Sequence, residues 1–156
     1  MKQKVKGRSV EAYDTLNEVL VKLFRDVNDI EQKAIITPEF KDITNNDMHV
    51  IDAIGIQAPK NMSSIAKELS VTVGTLTISM NSLVKKGYVV RQRSSVDRRV
   101  VYISLSEKGV KAYQHHKRFH EQMIHGVVKE LTEDELEALV KALTKLNAWF
   151  RSFEEN

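Results

Sequence analysis

The chain has 156 residues, 42% hydrophobic and 29% charged, with 24 Lys/Arg against 21 Asp/Glu and a net charge of +3. That length sustains one sizeable core, and no apolar run approaches the roughly 20 residues of a membrane span, so the composition describes a globular protein that does not cross a membrane. There is no cysteine, which excludes disulfides, thiolate metal ligands and any thiol-oxidation switch. The basic start MKQKVKGRSV has no hydrophobic stretch behind it to make a secretory signal, and a cytoplasmic protein is expected.

In chain order, Met1 to Arg8 hold four basic residues and no acid, a solvated tail or an arm that touches phosphate. Ser9 is placed to cap a long helix reaching Ile35, with Tyr13, Leu16, Leu20, Leu23, Val27 and Ile30 at alternating three- and four-residue spacing. So narrow a seam suits packing against another helix, one from a second copy of the chain. Pro38 closes that segment. Thr44 then caps a short helix to Ile54, with Asp47 at its third position and Met48, Ile51 and Ile54 facing inward. Gly55 and Pro59 end it.

The next stretch has the grammar of a helix-turn-helix. Asn61 caps a helix that buries Ile65, Ala66 and Leu69, and Thr72 caps a second helix reaching Lys86. Leu76, Met80, Leu83 and Val84 recur at i, i+4, i+7, i+8, and Gly87 supplies the stop. The opposite face carries Thr72, Val73, Thr75, Ser79 and Asn81, short side chains able to approach base edges, with Thr77 and Ile78 at its margin. Tyr88 to Arg91 and Val100 to Leu105 read as two antiparallel strands, and Gln92 to Arg99 between them is a charged tip. The pair makes a wing, so the expected fold is mostly α with a small β-wing: a winged helix-turn-helix over 44–105 flanked by long dimerisation helices at 9–36 and 106–153. From Ser106 a helix is predicted to about Glu130, with Val110, Tyr113, Lys117, His120, Ile124 and Val127 or Val128 inward. Thr132 and Glu135 form a capping box for a last helix with Leu136, Leu139, Val140, Leu143, Leu146, Phe150 and Phe153 on one side.

Charge is segregated along this plan. Lys60 to Ile103 carries eight basic against two acidic residues, a balance of +6, while the remainder carries sixteen against nineteen. A basic patch on a helix-turn-helix fits phosphate binding. The candidate DNA-binding residues are Thr72, Val73, Thr75, Thr77, Ile78, Ser79, Asn81, Lys85, Arg91, Arg93, Asp97, Arg98 and Arg99, with Lys86 as a further cation. The recognition helix has no Arg or Gln for bidentate guanine reading, so Ile78 is expected on a thymine methyl and Asn81 on adenine, pointing to an A/T-rich operator.

The run Asp97-Arg98-Arg99-Val100-Val101-Tyr102-Ile103-Ser104-Leu105-Ser106 resembles the wing signature of MarR-type transcription regulators. That resemblance covers essentially the whole length. It implies that Arg99 enters the minor groove with Asp97 holding it in pose, and that the first and last helices interlock two chains. A two-fold dimer then reads a pseudo-palindrome with half-sites roughly 34 Å apart. In place of the Lys or Arg that many such recognition helices carry, this chain has Ile78. Four further strings, Asp47–Gly55, Ser70–Thr77, Arg93–Val101 and His116–His120, resemble the fatty-acid-synthesis repressors of Gram-positive bacteria. That subgroup implies an acyl chain, delivered on acyl carrier protein, in a tunnel here lined by Leu20, Phe24, Val27, Ile51, Ile54, Tyr113 and Met123. The acylated carrier strengthens DNA binding there, and Lys117 and Arg118 are candidate docking charges for the acidic carrier.

Rival readings accompany this one. His49, His116 and His120 are a candidate zinc set, with Glu18, Glu31 or Asp47 as a third ligand type, and zinc-responsive members of the family use histidines on these helices; yet no Cys, HExxH or CxxC accompanies them, and no metal or other cofactor is assigned. A phenolic effector is the other ligand option. An enzyme is not expected, because no Ser/His/Asp order and no phosphate-cradling glycine loop is present among only six glycines. A DNA-binding architectural protein without a ligand completes the set.

Overall fold

In this computed structural model, which describes residues 10–154, every helix after the first begins where a short polar side chain satisfies its opening amides. The helices are α1 (Val10–Ile35), α2 (Asn45–Ile54), α3 (Met62–Glu68), α4 (Val73–Lys85), α5 (Glu107–Lys129) and α6 (Glu133–Glu154); the strands are β1 (Lys60–Asn61), β2 (Val89–Arg93) and β3 (Val101–Leu105). At α2 the Thr44 hydroxyl accepts from the Asp47 amide at 3.2 Å, and the Asp47 carboxylate accepts from the Thr44 amide at 3.0 Å. Asn61, Thr72 and Ser106 accept from the amides of Ser64, Thr75 and Gly109. Thr132 and Glu135 close the expected capping box of α6, and the amide and hydroxyl of Thr132 hold the Glu135 carboxyl below its usual pKa. Each such cap contributes about 1 kcal/mol. The basic tail, the Ser9 cap and the Phe153 side chain lie outside the described residues.

Two helices end in the same left-handed device. After α4 the Tyr88 amide donates to the Leu83 carbonyl at 2.9 Å and the Gly87 amide to Val84 at 3.1 Å, with Gly87 at φ 82°. After α3 the Val71 amide donates to Ala66 and the Ser70 amide to Lys67, and the left-handed residue is Ser70, at φ 54°. That turn sets α3 against α4 with a serine where glycine would cost less.

The sheet order is β1-β3-β2, all antiparallel. β2 and β3 pair Val89 with Leu105 through to Arg93 with Val101. The two-residue β1 pairs Lys60 with Ile103 and was not expected, since two residues show no periodicity. The core joins Met48, Ile51 and Ile54 of α2, Ile65 and Ala66 of α3, Leu76, Met80 and Leu83 of α4, and Ile103 of β3. Phe40 and Ile43 also enter it from the segment after α1, where the sequence suggested only a chain break at Pro38. Tyr88 is fully buried, and its hydroxyl donates to Asp42 at 2.6 Å; burial and that hydrogen bond raise its pKa and keep it a neutral donor.

Two expectations about faces are corrected. Val84 is 37% exposed, because it lies a quarter-turn away from the Leu76–Leu83 line. On α5 the buried residues are Gly109, Ala112 and His116, while Tyr113 and Val110 are half-buried and Lys117, Ile124, Val127 and Val128 exposed. Gly109 explains the rotation: a Cβ there would sit 2.1 Å from the Tyr88 carbonyl oxygen, so only the bare face of α5 can lie against that backbone. The chain divides into two compact units, up to His116 and from Lys117 onward. Among the described residues no helix is long and apolar enough to cross a membrane.

Candidate nucleic-acid interface

Helix α4 is held by its inner face, which leaves an outward line at i, i+4, i+7, i+11: Gly74, Ile78, Asn81 and Lys85. Ile78, placed at the margin by sequence, stands near the middle of this line and is 75% exposed. Asn81 and Lys85 are exposed as well. The flanking hydroxyls are engaged within the protein. Thr72 and Thr75 share a hydrogen bond at 2.9 Å, and the Thr77 hydroxyl donates to the Val73 carbonyl at 2.7 Å. Ser79 is half-buried and its hydroxyl accepts from the Asn46 side-chain Nδ2 at 3.4 Å, which ties α2 to α4. Val73 is 44% exposed at the helix start.

The wing carries the charge. Arg91 and Arg93 are two apart on β2, so both project from the same sheet face, and both are exposed beyond the edge of the core. The tip is folded by its own side chains. The Ser94 hydroxyl accepts from the Val96 amide at 3.1 Å and the Asp97 amide at 3.3 Å. Asp97 Oδ1 accepts from the Arg99 amide at 2.9 Å, and the Asp97 carbonyl accepts from Val100 at 3.0 Å. Asp97 therefore orients Arg99 through its backbone, as an Asx turn does. Arg98 and Arg99 are exposed, and Val96 between them and Ser94 is 95% exposed.

One expected cation is committed elsewhere. Lys86 pairs with the buried Asp47 at 2.8 Å and is mostly covered, so it ties α4 to the α2 cap and does not face outward. Sequence reasoning also passed over Ser94 and Gly74. The first had a signal, a serine three residues before Asp97 in a turn-forming tip.

The chain is similar to known proteins across this region and beyond it. The model of the MarR family matches residues 43–101. The solved structure of Streptococcus pneumoniae FabT in complex with DNA is 40% identical, covers 90% of this chain and 99% of that one, and superposes with a TM-score of 0.85. This chain belongs to the MarR family. Other MarR-type relatives include the Staphylococcus aureus MepR–DNA complex, at 27% identity and a TM-score of 0.64 over 82% of this chain and 96% of that one. The uncharacterized regulator YpoP of Bacillus subtilis is 29% identical over 92% of this chain and 98% of its own length. It is a MarR-family transcription regulator.

The expected ligand residues are spread over different environments. Ile51 and Ile54 are buried in the core, Leu20, Val27 and Tyr113 are half-buried, and Phe24 on α1 is 58% exposed. Met123 belongs to the second unit and is half-buried there. His49 is exposed on α2, and Asp47 is the cap and the Lys86 partner. Glu18 is exposed. His116 is buried, with Nε2 2.6 Å from Glu31 of α1 and Nδ1 2.8 Å from Asp52 of α2. Burial disfavours charge on this imidazole, but the hydrogen bonds to Asp52 and Glu31 outweigh it and raise the pKa above 6.5. Asp52 was missed, because its half-buried carboxylate meets His116 only through the tertiary fold. His120 lies in the second unit with its ring against Phe119.

Proposed function

We propose that this protein is a homodimeric repressor that binds a pseudo-palindromic double-stranded operator, with α4 in the major groove and the wing in the minor groove. The carrying observation is the pairing of an outward α4 line with a wing tip whose Arg98 and Arg99 are exposed on a turn built by Ser94 and Asp97. A narrow minor groove attracts arginine without base reading, so the wing supplies affinity and the helix selectivity. The DNA complexes of FabT and MepR support the mode by likeness. The local balance of +6 over Lys60–Ile103 supports steep salt dependence.

The regulated genes in this reading are those of fatty-acid synthesis in the cytoplasm, and the effector is a long acyl chain on acyl carrier protein. Its support is the four strings shared with the fatty-acid-synthesis repressors and the 40% identity to FabT. Leu20, Phe24, Val27, Ile51, Ile54, Tyr113 and Met123 are the residues proposed to line its path, and Lys117 and Arg118 to dock the carrier. A ligand that prefers one spacing of the two recognition helices shifts DNA affinity by its differential affinity for the two states.

The test is a titration of a labelled A/T-rich palindrome from upstream of the fatty-acid synthesis genes, with and without long-chain acyl carrier protein, and separately with zinc or a chelator. Tighter binding with the acylated carrier alone supports the lipid reading. A response to zinc alone moves the effector to the histidines. Binding that ignores both leaves the DNA function standing and removes the acyl assignment.

A further inference from the structure

We propose that α4 reads thymine through its C5-methyl group, with Ile78 as the reading side chain, Asn81 addressing an adjacent adenine, and the bare backbone at Gly74 admitting close approach. This rests on the DNA-binding reading above and specifies its chemistry.

Three observations carry it. Ile78 is 75% exposed near the centre of the outward line, so it contributes little to the core. The hydroxyls beside it are engaged: Thr72 with Thr75, Thr77 with the Val73 carbonyl, and Ser79 with Asn46. Along its outward line the helix offers a base edge a branched alkyl group, a carboxamide and a lysine. Third, Gly74 has no internal reason to be glycine. A Cβ there would meet only the Thr72 hydroxyl, at 3.7 Å, and its φ is not positive. Gly74 sits in the first turn of α4, on the surface and in line with Ile78, where alanine would favour the helix at least as well. An absent side chain lets another surface come close to the backbone.

Charge selects the partner. Lys85 lies on the same line of α4 as Ile78, and the wing that follows the helix carries Arg91, Arg93, Arg98 and Arg99, all exposed. An alkyl group on a helix face that also carries a lysine suits a major groove in which methyls lie between phosphate rows. Among the four bases only thymine shows a methyl there, and Asn pairs bidentately with adenine.

The experiment selects duplexes from a random-sequence pool with the full-length protein, then replaces each thymine of the selected site by deoxyuridine, one position at a time in both half-sites. Deoxyuridine keeps the hydrogen-bonding edge and removes only the methyl. We expect at least one symmetric position where affinity falls about fourfold per half-site, the value of one buried methyl, or about fifteenfold for the pair. Ile78→Ala, exposed and thus free to fold, should bind the thymine duplex more weakly and lose the thymine-over-uracil preference. Gly74→Ala should raise Tm yet weaken operator binding. Uracil that is silent at every position, or an Ile78→Ala protein that keeps the full preference, overturns the methyl reading while DNA binding stands. A Gly74→Ala protein of unchanged affinity overturns the close approach. If no duplex is enriched, the DNA-binding reading falls and takes this proposal with it.

Discussion

Asp97 and Arg99 divide one task between a backbone and a side chain. The carboxylate of Asp97 holds the Arg99 amide at 2.9 Å and leaves the guanidinium exposed. Arg99→Ala is expected to lower operator affinity about tenfold and to reduce the slope of log K against log salt by about 1 per wing, read by fluorescence anisotropy over a salt series. Asp97→Ala should lower affinity while leaving the melting curve nearly unchanged, because the turn is exposed and its loss costs the fold little. His116 makes the opposite case, a buried residue with a stability role. Its folded pKa is raised, so its contribution is fully present below about 6.5 and is lost as pH rises through the folded value. The difference in urea stability between wild type and His116→Gln should therefore shrink from pH 6 to pH 9 at fixed protomer concentration. His116→Gln should cost about 3 kcal/mol at pH 6, since it leaves Glu31 and Asp52 without their cation. A constant difference across that range would show His116 to be uncharged in the fold.

At the scale of elements, the ends of the helices carry most of the specification. Thr44, Asn61, Thr72, Ser106 and Thr132 were all legible as caps, because a cap is a local bond between residues three apart. The α3–α4 turn was legible only as a turn, since nothing local announces that Ser70 takes a left-handed conformation. Ser70→Gly should raise stability by about 0.5–1 kcal/mol in urea denaturation, the strain relieved exceeding the entropy lost by the unfolded chain. A fall in stability would mean that the Ser70 side chain is needed in the turn. The face of α5 was misread for a different reason. Its periodicity offers several apolar stripes, and the close approach of Gly109 to Tyr88 decides among them.

At the scale of the whole molecule, two helices expose more apolar surface than a solitary chain has use for. α1 shows Tyr13, Leu16, Val19, Leu23 and Phe24 half or more exposed, and α6 shows Val140, Leu143, Trp149 and Phe150 likewise. Contiguous patches of this kind mark association surfaces. A second copy covering them is expected, so sedimentation of the wild type should give a dimer. Leu16→Glu or Leu143→Glu should shift it toward monomer and weaken operator binding in parallel. A wild-type monomer that still binds the full palindrome with high affinity would remove the dimer from the reading.

The sequence by itself determined the winged helix, its caps, the core of α2 to α4 and the cationic wing, because each of these is written in spacings of two to eleven residues and in local hydrogen bonds. Tertiary structure alone decided which groups were available to a partner. It turned Lys86 inward to Asp47, set His116 between Glu31 and Asp52, and left Ile78 outward beside a bare Gly74. Those outcomes depend on pairs of residues far apart in the chain, whose meeting follows from how helices pack, and no local pattern encodes that distance.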